Sequence, residues 1–109
     1  MYTMRRSIAV AAFGVWAATA ANAQLPGTDI FVAPFSERGG GVVVGDPRNA
    51  TARPGYDNQP WFLPGGGSFL FAYADTSGSP DVYRYRIADG STVRVTDTPE
   101  GEYSPALTP

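Results

Sequence analysis

The stretch RPGYDNQPWFLPGGG, Arg53 to Gly67, constrains this chain more than any other. Three prolines, four glycines and an Asp-Asn pair surround one apolar Trp-Phe-Leu core. Prolines withhold backbone donors and glycines favour turns, so a helix is ruled out. Between two turn clusters this close, only a very short strand fits, Gln59–Leu63.

The rest of the chain after Gln24 also reads as strands. TDIFVAPF (Thr28–Phe35) and GVVVG (Gly41–Gly45) are rich in β formers. SFLFAYA (Ser68–Ala74), DVYRYRI (Asp81–Ile87) and TVRVT (Thr92–Thr96) follow, separated by Pro64–Gly67, Thr76–Pro80 and Ala88–Ser91. Asp89-Gly90 between two alternating runs is the strongest hairpin signal. Ser68–Ala74 is apolar on both faces: Phe69, Phe71 and Tyr73 on one, Leu70, Ala72 and Ala74 on the other. Asp81–Ile87 is less apolar, and Thr92–Thr96 keeps only Val93 and Val95 on one face. An antiparallel four-stranded meander, packed between similar sheets near one end and wet at the other, produces this gradient. That is the design of a propeller blade.

A repeat supports it. Pro60 and Pro64 have counterparts 45 positions on, in Pro105 and Pro109, and Thr51–Pro54 matches Thr96–Pro99 at the same offset. Asp29–Val32 resembles Asp81–Arg84 at an offset of 52, which places seven extra residues around Glu37–Pro47. Blade repeats run to about 40–45 residues. The short strand at Gln59–Leu63 is then expected to be the innermost of its blade.

The segment Arg53–Pro105 resembles the WD-like repeats of TolB-type β-propellers. Pro60, Pro64, Gly66, Gly78, Asp81, Val82, Tyr83, Gly90 and Thr96 occupy the pattern. Gly65 stands where that pattern has Asp, and Val95 where it commonly has Leu. The resemblance implies an all-β fold of antiparallel meander blades, incomplete: a partial blade over 24–53, a full blade over 54–98 and the start of another over 99–109. It also implies a periplasmic or cell-surface setting, with a protein or envelope component as partner. Fewer than two blades against the usual 4–8 make an open assembly, so the expectation is a fragment or a chain that self-associates through open blade edges.

Residues 1–23 read as a secretory signal peptide preceding the propeller as a helix. Arg5 and Arg6 form the basic region, Ile8–Ala18 the apolar region, and Ala21-Asn22-Ala23 the small-residue site, with cleavage between Ala23 and Gln24. The apolar run is too short for a stable membrane span. The arginine pair is compatible with general or twin-arginine export. Removing this segment takes two of eight basic residues and none of the ten acids, leaving 86 residues at net charge −4. No basic patch remains for nucleic acid. With cysteine absent, no disulfide helps so small an exported domain, and packing or a partner must hold it together.

Cysteine and histidine are both missing, which excludes Cys-His and Ser-His-Asp chemistry within the chain. The triplets Gly39–Gly41 and Gly65–Gly67 lack the lysine and helix of a phosphate loop, and read as hairpin turns. Asp75, Ser77, Ser79 and Asp81 alternate like calcium ligands, but Pro80 and Arg86 stand where Gly and Glu are needed. They read as a connection, with Asp81 bonding backbone at a strand start. Asp97, Glu100 and Glu102 share a loop with nothing to position them as an acid–base pair. Arg84 and Arg86 opposite Tyr83 and Tyr85 read as rim charges and packed rings. Asn49-Ala50-Thr51 is a formal glycosylation sequon.

Two functions are compatible with these features. One is a non-catalytic exported platform that binds partners through loops such as Pro54–Gln59 and Thr98–Tyr103, with no cofactor and no metal. The other is the propeller part of a secreted enzyme, resembling prolyl-oligopeptidase-like peptidases or oligogalacturonate lyases, with its catalytic residues outside this chain.

Overall fold

The computed structural model describes residues 24–76 and 78–109; the expected signal segment, 1–23, and Ser77 lie outside the described residues. The described chain is all-β, and its sheets are antiparallel. Four strands, β5 (Tyr56–Phe62), β6 (Ser68–Ala74), β7 (Asp81–Arg86) and β8 (Thr92–Arg94), pair in nearest-neighbour order as a meander. Ahead of them, β1 (Phe31–Val32) pairs with β4 (Arg48–Asn49), and β2 (Phe35–Arg38) with β3 (Gly41–Val44).

The Asp89-Gly90 turn forms as the sequence predicts. Gly90 has φ 68, its amide donates to the Arg86 carbonyl at 2.9 Å, and Asp89 Oδ1 accepts from the Ser91 amide at 3.0 Å. The first strand of the meander is longer than expected. It starts at Tyr56, because Asp57 and Asn58 pair with Tyr73 and Ala72 in the ladder rather than turning. A register shift between Asn58 and Trp61 absorbs Pro60, which has no amide to donate. Gly55 precedes it at φ 124, where a Cβ would sit 2.4 Å from the Ala74 carbonyl oxygen. No other residue fits there. Thr28–Phe35 is likewise not one strand. It breaks at Ala33-Pro34, and Phe35 turns away to build a separate hairpin with Gly41–Val44.

The 45- and 52-residue offsets recur as hydrogen bonds. The Ala50 amide donates to the Ile30 carbonyl at 2.8 Å, and Val95 to Val82 at 2.7 Å. Thr51 Oγ1 accepts from the Ile30 amide at 3.0 Å, and Thr96 Oγ1 from Val82 at 2.9 Å. The Asp57 amide donates to the Thr28 carbonyl at 3.2 Å, and Glu102 to Pro80 at 2.8 Å. Phe31 pairs with Asn49 as Tyr83 pairs with Arg94. Residues 28–52 thus form a first unit whose β1 and β4 match β7 and β8 of the second. The seven extra residues lie in the β2–β3 hairpin.

The core lies between the two units. Phe69, Phe71 and Tyr85 are buried with Ile30, and Val32, Ala50, Tyr73, Tyr83 and Ile87 pack around them. Phe69 and Tyr85 stack at 4.9 Å with a 19° interplanar angle. On the opposite face, Ala72 and Ala74 are buried with Tyr56, with Leu25 packed against them. Burial declines from β6 through β7 to β8, whose three residues are all exposed.

Candidate interaction surface

The polar residues singled out in the sequence hold the fold. Asp81 starts β7 and gathers Arg94 Nη2, Thr96 Oγ1 and the Thr98 amide on its carboxylate. Burial alone would raise its pKa, but these hydrogen bonds outweigh it and hold the carboxyl below the usual aspartate value. Glu102 accepts from the hydroxyls of Thr96 and Thr98. Asp97 pairs with Arg94 at 2.8 Å and is otherwise exposed, and Glu100 points to solvent. The three acids therefore do not converge on a common point. Arg86 pairs with Asp89 at 3.2 Å on the surface, while Tyr85 is buried and accepts from Arg48 Nη1 through its hydroxyl. Asn49 spends its side chain internally, donating to Asp29 and accepting from Thr51 and Ala52 amides. Among the described residues, no group of three acids forms a metal-binding cluster, and no helix is long and apolar enough to cross a membrane.

The loops expected to bind partners are in part engaged within the molecule. Tyr56 and Asp57 are buried in β5. Tyr103 meets Tyr56 edge-on at 6.4 Å, and the Ser104 amide donates to Gln59 Oε1 at 2.8 Å. So the structure brings Pro54–Gln59 and Thr98–Tyr103 together, while Pro54, Thr98–Gly101 and Tyr103 stay exposed. Of the expected cleavage pair, Ala23 lies outside the described residues and Gln24 is exposed.

The inserted hairpin is free along its whole length. All eight residues of β2 and β3 are exposed. Phe35 stands 71% exposed opposite Val44 at 65%, and Val42 is 63% exposed opposite Glu37. Gly39 and Gly40, at φ 59 and 80, make its turn. Among the described residues, each of the two strands pairs only with the other, so both outer edges are open there. At its base a cleft of about 710 Å³ is lined by Val32, Pro34, Phe35, Phe62 and Ile87, with Asp46 and Arg48 as its charged members. Phe62, half exposed, packs edge-on against Phe69 at 5.7 Å, so the cleft reaches the core.

No family model, curated protein or solved structure matches this chain.

Sequence reasoning missed the hairpin as a site, although the seven-residue excess over the repeat marked its position. It also missed Arg53. Its guanidinium lies 3.7 Å over the Tyr73 ring and close to the rings of Phe71 and Tyr83, and binds Asp57 Oδ1 at 3.0 Å. Asp57 is 1% exposed, and burial raises its pKa against the pull of Arg53. Among the described residues its Oδ2 has no hydrogen-bond partner, whereas the longer Glu102, 45 positions on, reaches Thr96.

Proposed function

We propose that the chain is part of an exported, non-catalytic β-propeller of the TolB-like type that serves as a protein-binding platform, with residues 24–53, 54–98 and 99–109 as successive blades or parts of them. The contact surface is the inserted hairpin Phe35–Val44 and the apolar cleft at its base. One observation carries this reading. The segment that departs from the repeat is also the segment with the most exposed apolar side chains and two open strand edges. In repeat architectures, insertions map to one face, often the binding face. Exposed apolar surface beside an unpaired edge suits an extended segment of another protein, which adds a strand and seats its side chains in the cleft. The signal-like layout of residues 1–23 puts that partner in the periplasm or outside the cell.

The test is a photo-crosslinker placed at Val43 and, separately, at Ser91, in the full chain expressed in a bacterial host. The platform reading expects a discrete adduct at Val43 alone, mapping to one extended partner segment and lost when Val42→Asp is introduced. Equal labelling at both positions, or none at Val43, refutes it.

A further inference from the structure

The hydrogen bonds of the inserted hairpin fix what each of its outer edges offers. The Gly45 amide donates to the Pro34 carbonyl at 2.8 Å. Beyond that pair, Phe35 faces Val44, Ser36 faces Val43, Glu37 faces Val42 and Arg38 faces Gly41. Bonded and non-bonded pairs alternate along an antiparallel ladder. Counting from Pro34–Gly45, the pairs Ser36–Val43 and Arg38–Gly41 are bonded, and Phe35–Val44 and Glu37–Val42 are not. The latter four residues turn their amide and carbonyl groups outward. β2 thus offers Phe35 and Glu37 to a new strand, and β3 offers Val42 and Val44.

The two edges differ in chemistry. β2 carries Glu37 and Arg38, and charges on an edge strand deter pairing. β3, Gly41–Val44, has no charge, proline or bulge to guard it. Val42 and Val44 also share a face with Phe35, which lines the cleft at the base of the hairpin. Of the two charges in that cleft, Arg48 is engaged, donating to the Tyr85 hydroxyl and the Ile87 carbonyl. The ion pairs among the described residues use Asp57, Asp81, Asp89 and Asp97, and leave Asp46 out. Residues 24–109 hold six arginines against ten acids. Both features favour a cationic partner.

We infer that the outer edge of β3 takes an extended basic–apolar segment of another protein, running antiparallel, in which two apolar residues spaced by one exchange hydrogen bonds with Val44 and Val42, and an arginine or lysine two positions before them meets Asp46. The inference rests on the platform reading above and adds the edge, the direction and the order of side chains. Antiparallel pairing is the more stable per residue. In that direction the segment passes Asp46 first, then Val44, then Val42. Its order from the N-terminus is therefore basic, any, apolar, any, apolar. The apolar residue opposite Val44 widens the Phe35–Val44 row, the kind of cross-strand contact that stabilises a sheet.

The probe is a capped, dye-labelled peptide, Thr-Arg-Thr-Val-Thr-Val-Thr, titrated with the full chain and read by fluorescence anisotropy. Its two valine amides face β3, and the amide of the threonine between them faces away. N-methylation of either valine is expected to weaken binding by about tenfold or more, and N-methylation of that threonine by less than about twofold. The reversed sequence, Thr-Val-Thr-Val-Thr-Arg-Thr, is expected to bind about two- to fivefold more weakly. Asp46→Arg is expected to shift preference by about the same factor toward a peptide with glutamate in place of the arginine. Val42→Asp is expected to abolish binding while the Phe69 and Phe71 amides stay protected from exchange. No binding by the intact chain, equal loss from all three N-methyl groups, or a preference for the reversed peptide overturns the inference. Asp46→Arg without a change of preference overturns the place of the basic residue. A Val43 adduct with the N-methyl pattern absent refutes this inference alone, and the pattern without a Val43 adduct refutes the platform reading alone.

Discussion

The Ser104 amide donates to Oε1 of Gln59, 2.8 Å away, and the two residues occupy the same place in consecutive repeats, 45 positions apart. Both precede proline and both have positive φ, 55 for Gln59 and 50 for Ser104. A non-glycine residue in that region carries about 1–2 kcal/mol of strain. The same strained corner therefore forms twice, and the second copy is tied to the first. Gln59→Ala removes the acceptor and is expected to cost about 0.5–1 kcal/mol, seen as faster exchange of the Ser104 amide, with Gln59→Glu retaining protection. Ser104→Gly keeps the donor, relieves the positive φ and is expected to be neutral or to stabilise by up to about 1 kcal/mol in urea melts.

Arg53 is a stabilising residue disguised as a loop cation. It covers Tyr73 and neutralises a carboxylate that is otherwise buried. Its own side chain is 29% exposed, which tempers the effect. Arg53→Ala is expected to destabilise by about 2–4 kcal/mol, because Asp57 is left with an uncompensated charge. Arg53→Lys recovers less than half, since an ammonium neither stacks on the ring nor forks to the carboxylate. Denaturation midpoints of the three proteins check this.

Two aspartates give opposite pH responses. Asp81 is held below the ordinary value of 3.8, so its contribution is present above pH 3.8 and is lost as pH falls through its lower folded value. Asp57 is raised above 3.8 by burial, so the native state binds its proton more readily. Its contribution is greatest at and below pH 3.8 and is lost as pH rises through its raised folded value. Urea melts across pH are expected to show acid loss that Asp81→Asn reduces, and a mild gain on acidification above 3.8 that Asp57→Asn abolishes. The reverse assignment of the two variants contradicts the account.

The hairpin is expected to be dispensable for folding. Excising Glu37–Val43, the seven residues by which the first unit exceeds the second, leaves the core residues Ile30, Val32 and Ala50 in place. The melt is expected to shift by no more than about 0.5 kcal/mol, whereas Phe71→Ala, which empties a fully buried site, costs about 3–5 kcal/mol. With the photo-crosslinker moved to Phe35, which the excision leaves in place, the intact chain is expected to give the adduct and the excised chain none.

The meander was legible because alternation in Asp81–Ile87, the two apolar faces of Ser68–Ala74 and the Asp89-Gly90 turn all act locally. The strand at Tyr56 was misjudged because Asp57 and Asn58 favour turns until tertiary pairing overrides them. The hydrogen-bonded recurrence was present in the sequence as Thr51/Thr96 and Asp29/Asp81, but a hydroxyl accepting from a backbone amide across 21 residues leaves no periodic trace. The hairpin face was illegible for another reason. Val42–Val44 reads as a buried strand, and its exposure shows only once none of the described residues is seen to cover it.

Residue-resolved amide exchange of the full chain tests the central claim, that two equivalent units stack face to face. The account predicts that the Ile30 and Ala50 amides are protected alongside Phe71 and Tyr85, and that Thr51→Ala accelerates Ile30 as Thr96→Ala accelerates Val82. Ile30 and Ala50 exchanging at unstructured rates, while the four-stranded sheet stays protected, would contradict it.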